Sequence, residues 1–166
     1  MQTVNNIILT HDQIQHKIKR IAYQIWETNV EEKEIIIAGI ADNGYIFAQR
    51  LCSILEEISD IDIQLCKVTM DKKSPQNTVQ TSLKPEDYTN KSVVLIDDVL
   101  NSGTALIYGV KYFLEVPLRK CKTAVLVNRN HKKYPIKADF KGISLSTSLH
   151  EHVNVTFGTE DIATLE

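Results

Sequence analysis

The chain has 166 residues, 43% of them hydrophobic and 24% charged, with a net charge of −2 and a pI near 6.2. That length suits one folded unit, residues 1–166, with a substantial core, and the near-neutral charge argues against a uniformly basic wrapper of nucleic acid. No apolar run is long enough to span a bilayer, and the first residues, with Asn5 and Asn6, lack the basic cluster of a secretory leader, so the cytoplasm is the expected compartment and no membrane partner is expected. Cys52, Cys66 and Cys121 are odd in number and far apart, and the five histidines are scattered, which predicts neither a disulfide framework nor structural zinc.

In chain order, Thr10 stands as an N-cap before Ile14, Ile18, Ile21, Ala22 and Ile25, whose spacing predicts an amphipathic helix. Lys17, Lys19 and Arg20 fall on it, either as a solvated face or as part of a nucleic-acid surface, and Trp26 either packs inward or supports an interface. Ile35 to Ile40 predicts the first core strand. The turn Ala41-Asp42-Asn43-Gly44 follows, then a packed helix carrying Phe47, Ala48, Leu51, Leu55 and Ile58. Asp62 to Cys66 alternates as another strand. The interval 67–84, with Lys72-Lys73, Ser74-Pro75 and Asn77, shows little helical regularity and predicts a mobile lid or hairpin.

Val93 to Ile96 is apolar without interruption, as in a central parallel strand covered on both faces. Asp97 and Asp98 then stand at its carboxyl end, the edge at which open α/β sheets bind ligands. Asn101, Ser102, Gly103 and Thr104 turn tightly and offer N–H and hydroxyl groups, and the apolar positions from Ala105 to Leu114 predict a helix whose N-terminus favours phosphate. Two carboxylates beside such a nest suit a ligand carrying both hydroxyls and phosphate. The acids either accept hydrogen bonds from sugar hydroxyls or help hold Mg²⁺. Ala124 to Asn128 predicts a further buried strand, Val153 to Phe157 a last one, and Gly158 to Glu166 a tail or capping element.

The apolar strand, acid pair and Ser-Gly turn of Val93 to Thr104 resemble the signature of type I phosphoribosyltransferases. The run from Arg129 through His131, Tyr134-Pro135-Ile136 and Ala138-Asp139-Phe140 to Gly142 is similar to the PyrR branch of that family, bifunctional pyrimidine regulators and uracil phosphoribosyltransferases. Ile18 to Ala22 and Ser144 to Val155, with Ser146-Thr147-Ser148, extend the likeness over nearly the whole chain. The resemblance implies an α/β fold with a twisted central parallel sheet flanked by helices, a small hood and a flexible lid loop. It implies transfer of phosphoribose from phosphoribosyl pyrophosphate (PRPP) to a nucleobase, uracil, giving uridine monophosphate and pyrophosphate. The alternative it implies is a nucleotide-sensing regulator of pyrimidine genes that binds a messenger-RNA leader, with weak or absent transfer.

On the same ground, Asp97, Asp98 and Lys67 form the expected catalytic set, with Asp97 and Asp98 also holding the Mg²⁺ that accompanies PRPP. Leu100, Asn101, Ser102, Gly103, Thr104 and Ala105 are expected around the 5'-phosphate, and Ala41, Asp42, Asn43 and Gly44 around the diphosphate. Arg129 is expected to meet a phosphate or anchor its loop, Ile136 to cover the base, and the chain to form a homodimer. Two stretches depart from the PyrR pattern. Ala41-Asp42-Asn43-Gly44 stands where Lys-Thr-Arg-Gly is usual, and in Asp62 to Met70 Lys67 replaces an arginine while Val68 and Thr69 replace two acids. Backbone donors, Mg²⁺ and a lid lysine, Lys72 or Lys73, are expected to compensate.

Overall fold

The computed structural model describes residues 6–166, so the reading made at Asn5 lies outside the described residues. The elements are β1 (Asn6–Leu9), α1 (His11–Thr28), β2 (Glu34–Ile40), α2 (Asn43–Ile58), β3 (Asp62–Thr69), β4 (Gln80–Thr81), α3 (Pro85–Tyr88), β5 (Ser92–Leu100), α4 (Thr104–Phe113), β6 (Lys120–Asn128), β7 (Phe140–Ser144), β8 (Val153–Thr156) and β9 (Ile162–Leu165).

The β-branched runs of β2, β5 and β6 are buried almost throughout because both faces of their sheet are covered. Strand order is β4-β3-β2-β5-β6-β7, and β3, β2, β5, β6 and β7 run parallel. Odd positions of β2, Ile35 and Ile37, meet Ile14, Ile18 and Ile25 of α1 and Phe47, Leu51 and Leu55 of α2 in one core cluster. Even positions, Ile36 and Ala38, join Tyr88, Leu106 and Phe113 on the opposite face. This is the two-residue period of a strand sorted between two helical layers. Thr10 caps α1 as expected. Its hydroxyl accepts from Gln13 N at 3.3 Å while Gln13 Oε1 accepts from Thr10 N at 2.9 Å, a reciprocal capping box.

Strand order reverses between β2 and β5, since the chain steps outward from β2 to β3 and β4 and then returns to β5 before stepping the other way. The carboxyl ends of these two strands therefore flank the crevice in which open α/β sheets hold ligands.

The structure bears out the central parallel sheet flanked by helices and refines four readings. The sheet is not wholly parallel: β4 pairs antiparallel to β3 through Val68↔Thr81 and Thr69↔Gln80. Strand β3 runs on to Thr69 and α3 occupies Pro85–Tyr88, so the lid is shorter than 67–84 and is the arm of a hairpin. Gly158 to Glu166 is no simple tail, because β9 is the central strand of a three-stranded antiparallel sheet, β1-β9-β8, that unites the two ends of the described chain in the hood. Arg20 is not a free cation on α1; its guanidinium donates to the carbonyls of Lys141 at 3.1 Å and Gly142 at 2.8 Å, tying α1 to β7. Among the described residues no helix is long and apolar enough to cross a membrane.

Candidate functional site

Close packing at the switch point comes from a glycine. A Cβ on Gly44 would lie 2.8 Å from the Ile96 carbonyl oxygen and 2.9 Å from Asp97 Cα, so its absence lets the first turn of α2 close on β5 beside the acids. The peptide between Ala41 and Asp42 is cis, and Ala41 N donates to Val68 O at 2.8 Å, which ties this turn to β3. Asp42 is exposed and its side chain makes no cap bond, whereas Asn43 turns inward. The Asn43 amide donates to Asp98 Oδ2 at 3.1 Å and to the Val155 carbonyl at 2.8 Å, linking the acid pair to hood strand β8.

Asp97 and Asp98 are the sixth and seventh of the nine residues of β5. Asp97 Oδ1 accepts from Asp98 N at 2.9 Å, and Asp98 Oδ1 accepts from Val99 N at 2.9 Å. The Asp97 side chain is only 4% exposed, and Lys72 Nζ lies 3.2 Å from its Oδ1 and 3.4 Å from its Oδ2. Burial, and then the charge of Asp98, push the Asp97 carboxyl up to about 8, against the opposing pull of the Lys72 ammonium. The pair thus carries more negative charge than the one lysine beside it offsets.

The next residues build an anion nest. Gly103 caps α4 with φ +86°, in the left-handed region that glycine enters without steric cost. Ser102 Oγ and Thr104 Oγ1 share a hydrogen bond of 2.8 Å, and Thr104 N donates to Ser102 Oγ at 3.3 Å. The first-turn N–H groups of α4 have no partner within the helix and point outward, a ready site for phosphate. Lys72, Asp97, Asp98 and the residues 99–106 line a cleft of about 150 Å³.

The segment after β6 clasps this nest. Lys133 N donates to Ser102 O at 2.7 Å, and Ile136 packs so tightly on Gly103 that a Cβ there would lie 2.4 Å from Ile136 Cγ2. Arg129 is 6% exposed. It donates to Asn101 Oδ1 at 2.9 Å, to Thr147 Oγ1 at 3.0 Å, and to the carbonyls of Ser148 and Glu151. Its guanidinium thus joins the nest to the hood loop. His131 Nε2 bonds the Thr147 carbonyl, which only accepts, so that nitrogen carries the hydrogen.

The structure gathers Asp97, Asp98 and residues 100–105 around one cleft, with Asn43, Arg129 and Ile136 at its margins. Leu100 is nearly fully buried in the core and its carbonyl accepts from Arg129 N at 3.1 Å. Lys67 is not among the cleft residues: its Nζ stands 5.4 Å from the Tyr45 ring centroid, and its backbone exchanges hydrogen bonds with Ser82. The lysine at the acids is Lys72, whose position on the lid carries no periodic signal. The inward turn of Asn43 likewise depends on the hood strand beside it.

Among the described residues no three His, Cys, Asp or Glu side chains are grouped to hold a metal ion. Two adjacent carboxylates nevertheless fit Mg²⁺, a hard cation that commonly takes one or two carboxylates and completes its shell with phosphate oxygens and water.

The phosphoribosyl transferase domain model matches residues 5–161. The chain is 32% identical to the bifunctional protein PyrR of Chloroflexus aurantiacus, with 95% of this chain and 93% of that protein covered. It is also 32% identical to the bifunctional protein PyrR of Brevibacillus brevis, over 95% of this chain and 92% of that protein. A crystal structure of hypoxanthine-guanine phosphoribosyltransferase from Bacillus anthracis superposes with a TM-score of 0.75 at 19% identity, covering 86% of this chain and 83% of that one, a likeness of fold alone.

Proposed function

Because the chain belongs to the phosphoribosyl transferase domain family, we propose that it transfers the 5-phosphoribosyl group of PRPP to a nucleobase, uracil, releasing pyrophosphate. The observation that carries this reading is the acid pair Asp97-Asp98 set beside the 102–104 nest at the N-terminus of α4, in one cleft at the switch point. The choice of uracil rests on the likeness to proteins named PyrR.

A ring nitrogen of the base forms a bond to the anomeric carbon as the bond from that carbon to the diphosphate oxygen breaks; the electron pair leaves with pyrophosphate and the nitrogen's proton passes to solvent. Positive charge develops on the ribose, so catalysis here is alignment and electrostatics, with no covalent nucleophile. Ser102, Thr104 and the first N–H groups of α4 fix the 5'-phosphate. Asp97 and Asp98 orient the ribose hydroxyls and face the developing positive charge. The backbone of residues 41–44 approaches the diphosphate, which compensates for the missing Lys and Arg of the PyrR pattern. Mg²⁺, when bound through Asp97 and Asp98, supplies charge neutralisation for the diphosphate. Residues 133–136 and the hood loop at 145–151 wall the base from water. The working form is a cytoplasmic homodimer.

The test is magnesium-dependent pyrophosphate release from PRPP with uracil, guanine, hypoxanthine or no base. Uracil-dependent release with formation of uridine monophosphate is the expected result, and release that ignores the base overturns the transfer reading. A second activity, regulation through a messenger-RNA leader, has support in the word bifunctional in the names of the relatives. With Arg20 engaged in the fold, Lys17 and Lys19 are the basic residues of α1 left for such a surface, and salt-sensitive, sequence-selective RNA binding lost in Lys19→Ala is its expected signature.

A further inference from the structure

The lid is folded down on the site by specific contacts. Gln76 Nε2 donates to the Tyr108 hydroxyl of α4 at 3.2 Å, Pro75 is buried, and Lys72 grips both oxygens of Asp97. Within the lid, Lys73 N and Ser74 N fold onto Asp71, and Asp71 N donates to Thr78 Oγ1 at 3.1 Å, so the turn that carries Lys72 is ordered by its own bonds.

We infer that Lys72 is a tethered counter-cation that keeps the divalent-cation seat of the acid pair filled, and that cation binding at Asp97 and Asp98 displaces it and frees the lid. This deepens the transferase reading and rests on it for the identity of the ligand that brings the cation. One ammonium serves one carboxylate: Lys72 contacts Asp97, while Asp98 has the neutral amide of Asn43. A divalent ion held by both carboxylates would offset both charges where the ammonium offsets one, and this difference favours the exchange. It is also sterically open. The Lys72 side chain is 45% exposed, so its ammonium returns to water without unpacking any core, whereas Asp97, at 4%, cannot leave. A free lysine on a released lid is then available to the diphosphate, whose loop lacks side-chain cations at Ala41, Asp42 and Asn43.

The experiment uses Mn²⁺ as the probe, titrated into the full chain without PRPP and followed by loss of the free-ion electron paramagnetic resonance signal. Lys72→Met is compared with the unaltered chain, with Lys72→Arg, and with Lys73→Met as the neighbouring-charge control, after circular dichroism has shown that all are folded. Lys72→Met is expected to bind Mn²⁺ at least tenfold more tightly, with Lys73→Met and Lys72→Arg close to the unaltered chain. Amide exchange of residues 71–79 is expected to quicken on adding Mn²⁺ to the unaltered chain and to be already fast in Lys72→Met. Equal Mn²⁺ affinity in Lys72→Met and the unaltered chain, or no binding by either, overturns the assignment, as does a lid whose exchange ignores the ion. Failure of the unaltered chain to bind PRPP with Mg²⁺ counts instead against the transferase reading, so the two failures are distinguishable.

Discussion

Asp97 shows what it costs to prepare a cation site in the absence of its ion. Burial and the neighbouring Asp98 raise its carboxyl from 3.8 to about 8 against the pull of Lys72, so the charged form that Lys72 pairs is held at a cost to stability. Stability from this group is fully present below about pH 4 and is lost as pH rises towards about 8. In Asp97→Asn the amide oxygen still accepts from Asp98 N while the charge is gone. The ligand-free variant is therefore expected to match the unaltered chain near pH 4 and to exceed it by about 1–2 kcal/mol near pH 8, in urea unfolding, while losing affinity for PRPP with Mg²⁺. A difference that stays flat across that range contradicts the assignment. Thr104 makes the opposite kind of demand. Its hydroxyl is shared with Ser102 within the nest, so Thr104→Val leaves the helix intact but removes a donor to a dianionic phosphate. PRPP affinity, read by calorimetry, is expected to fall roughly 10- to 100-fold, as for a lost hydrogen bond to a charged group.

Elements with a strong local signal were readable from sequence: β2, β5 and β6 as unbroken apolar runs, α1 from its cap and spacing, and the acid pair with its nest from their order along the chain. Among the unread elements are those that exist through distant partners. Strands β1 and β9 have four residues each and are specified by pairing Asn6 with Leu165 across the whole chain, while β4 has two residues and takes its form from β3. The same rule separates Lys67 from Lys72. Which lysine meets Asp97 depends on the register of the β3–β4 hairpin, and no local spacing encodes it. Arg129 was open between ligand and anchor because its partners, Asn101, Thr147 and Glu151, lie on two separate loops. Arg129→Met leaves those acceptors without a donor and is expected to cost about 2–4 kcal/mol in thermal or denaturant unfolding. Amide exchange is expected to localise the loss to residues 145–151 while β2 and β5 stay protected; uniform loss of protection would mean that Arg129 supports the core and not the hood.

At the scale of the whole molecule the hood is fastened to the body by another acid, with the reverse dependence on pH. The Asp161 side chain has no exposure and accepts from Arg50, from Gln15 Nε2 at 2.6 Å and from Gly158 N at 3.0 Å, joining the β8–β9 turn to α1 and α2. Burial alone would raise its carboxyl, but the bonds from Gly158, Arg50 and Gln15 prevail and hold it below the ordinary 3.8. Its contribution is therefore present above about pH 4 and is lost as pH falls through the lowered value. Asp161→Asn is expected to destabilise the chain by about 2–3 kcal/mol at pH 7, since Arg50 loses its charge partner but retains partial access to water, and the deficit is expected to shrink below pH 4. Taken with Asp97, this predicts a ligand-free stability optimum on the acid side of neutrality. The fastening acid sets the fall below it and the site acid the fall above it. Urea midpoints across pH 3 to 9 check both limbs: Asp97→Asn is expected to flatten the upper limb and Asp161→Asn the lower, and a variant that shifts both limbs equally would show that the two acids are not acting independently.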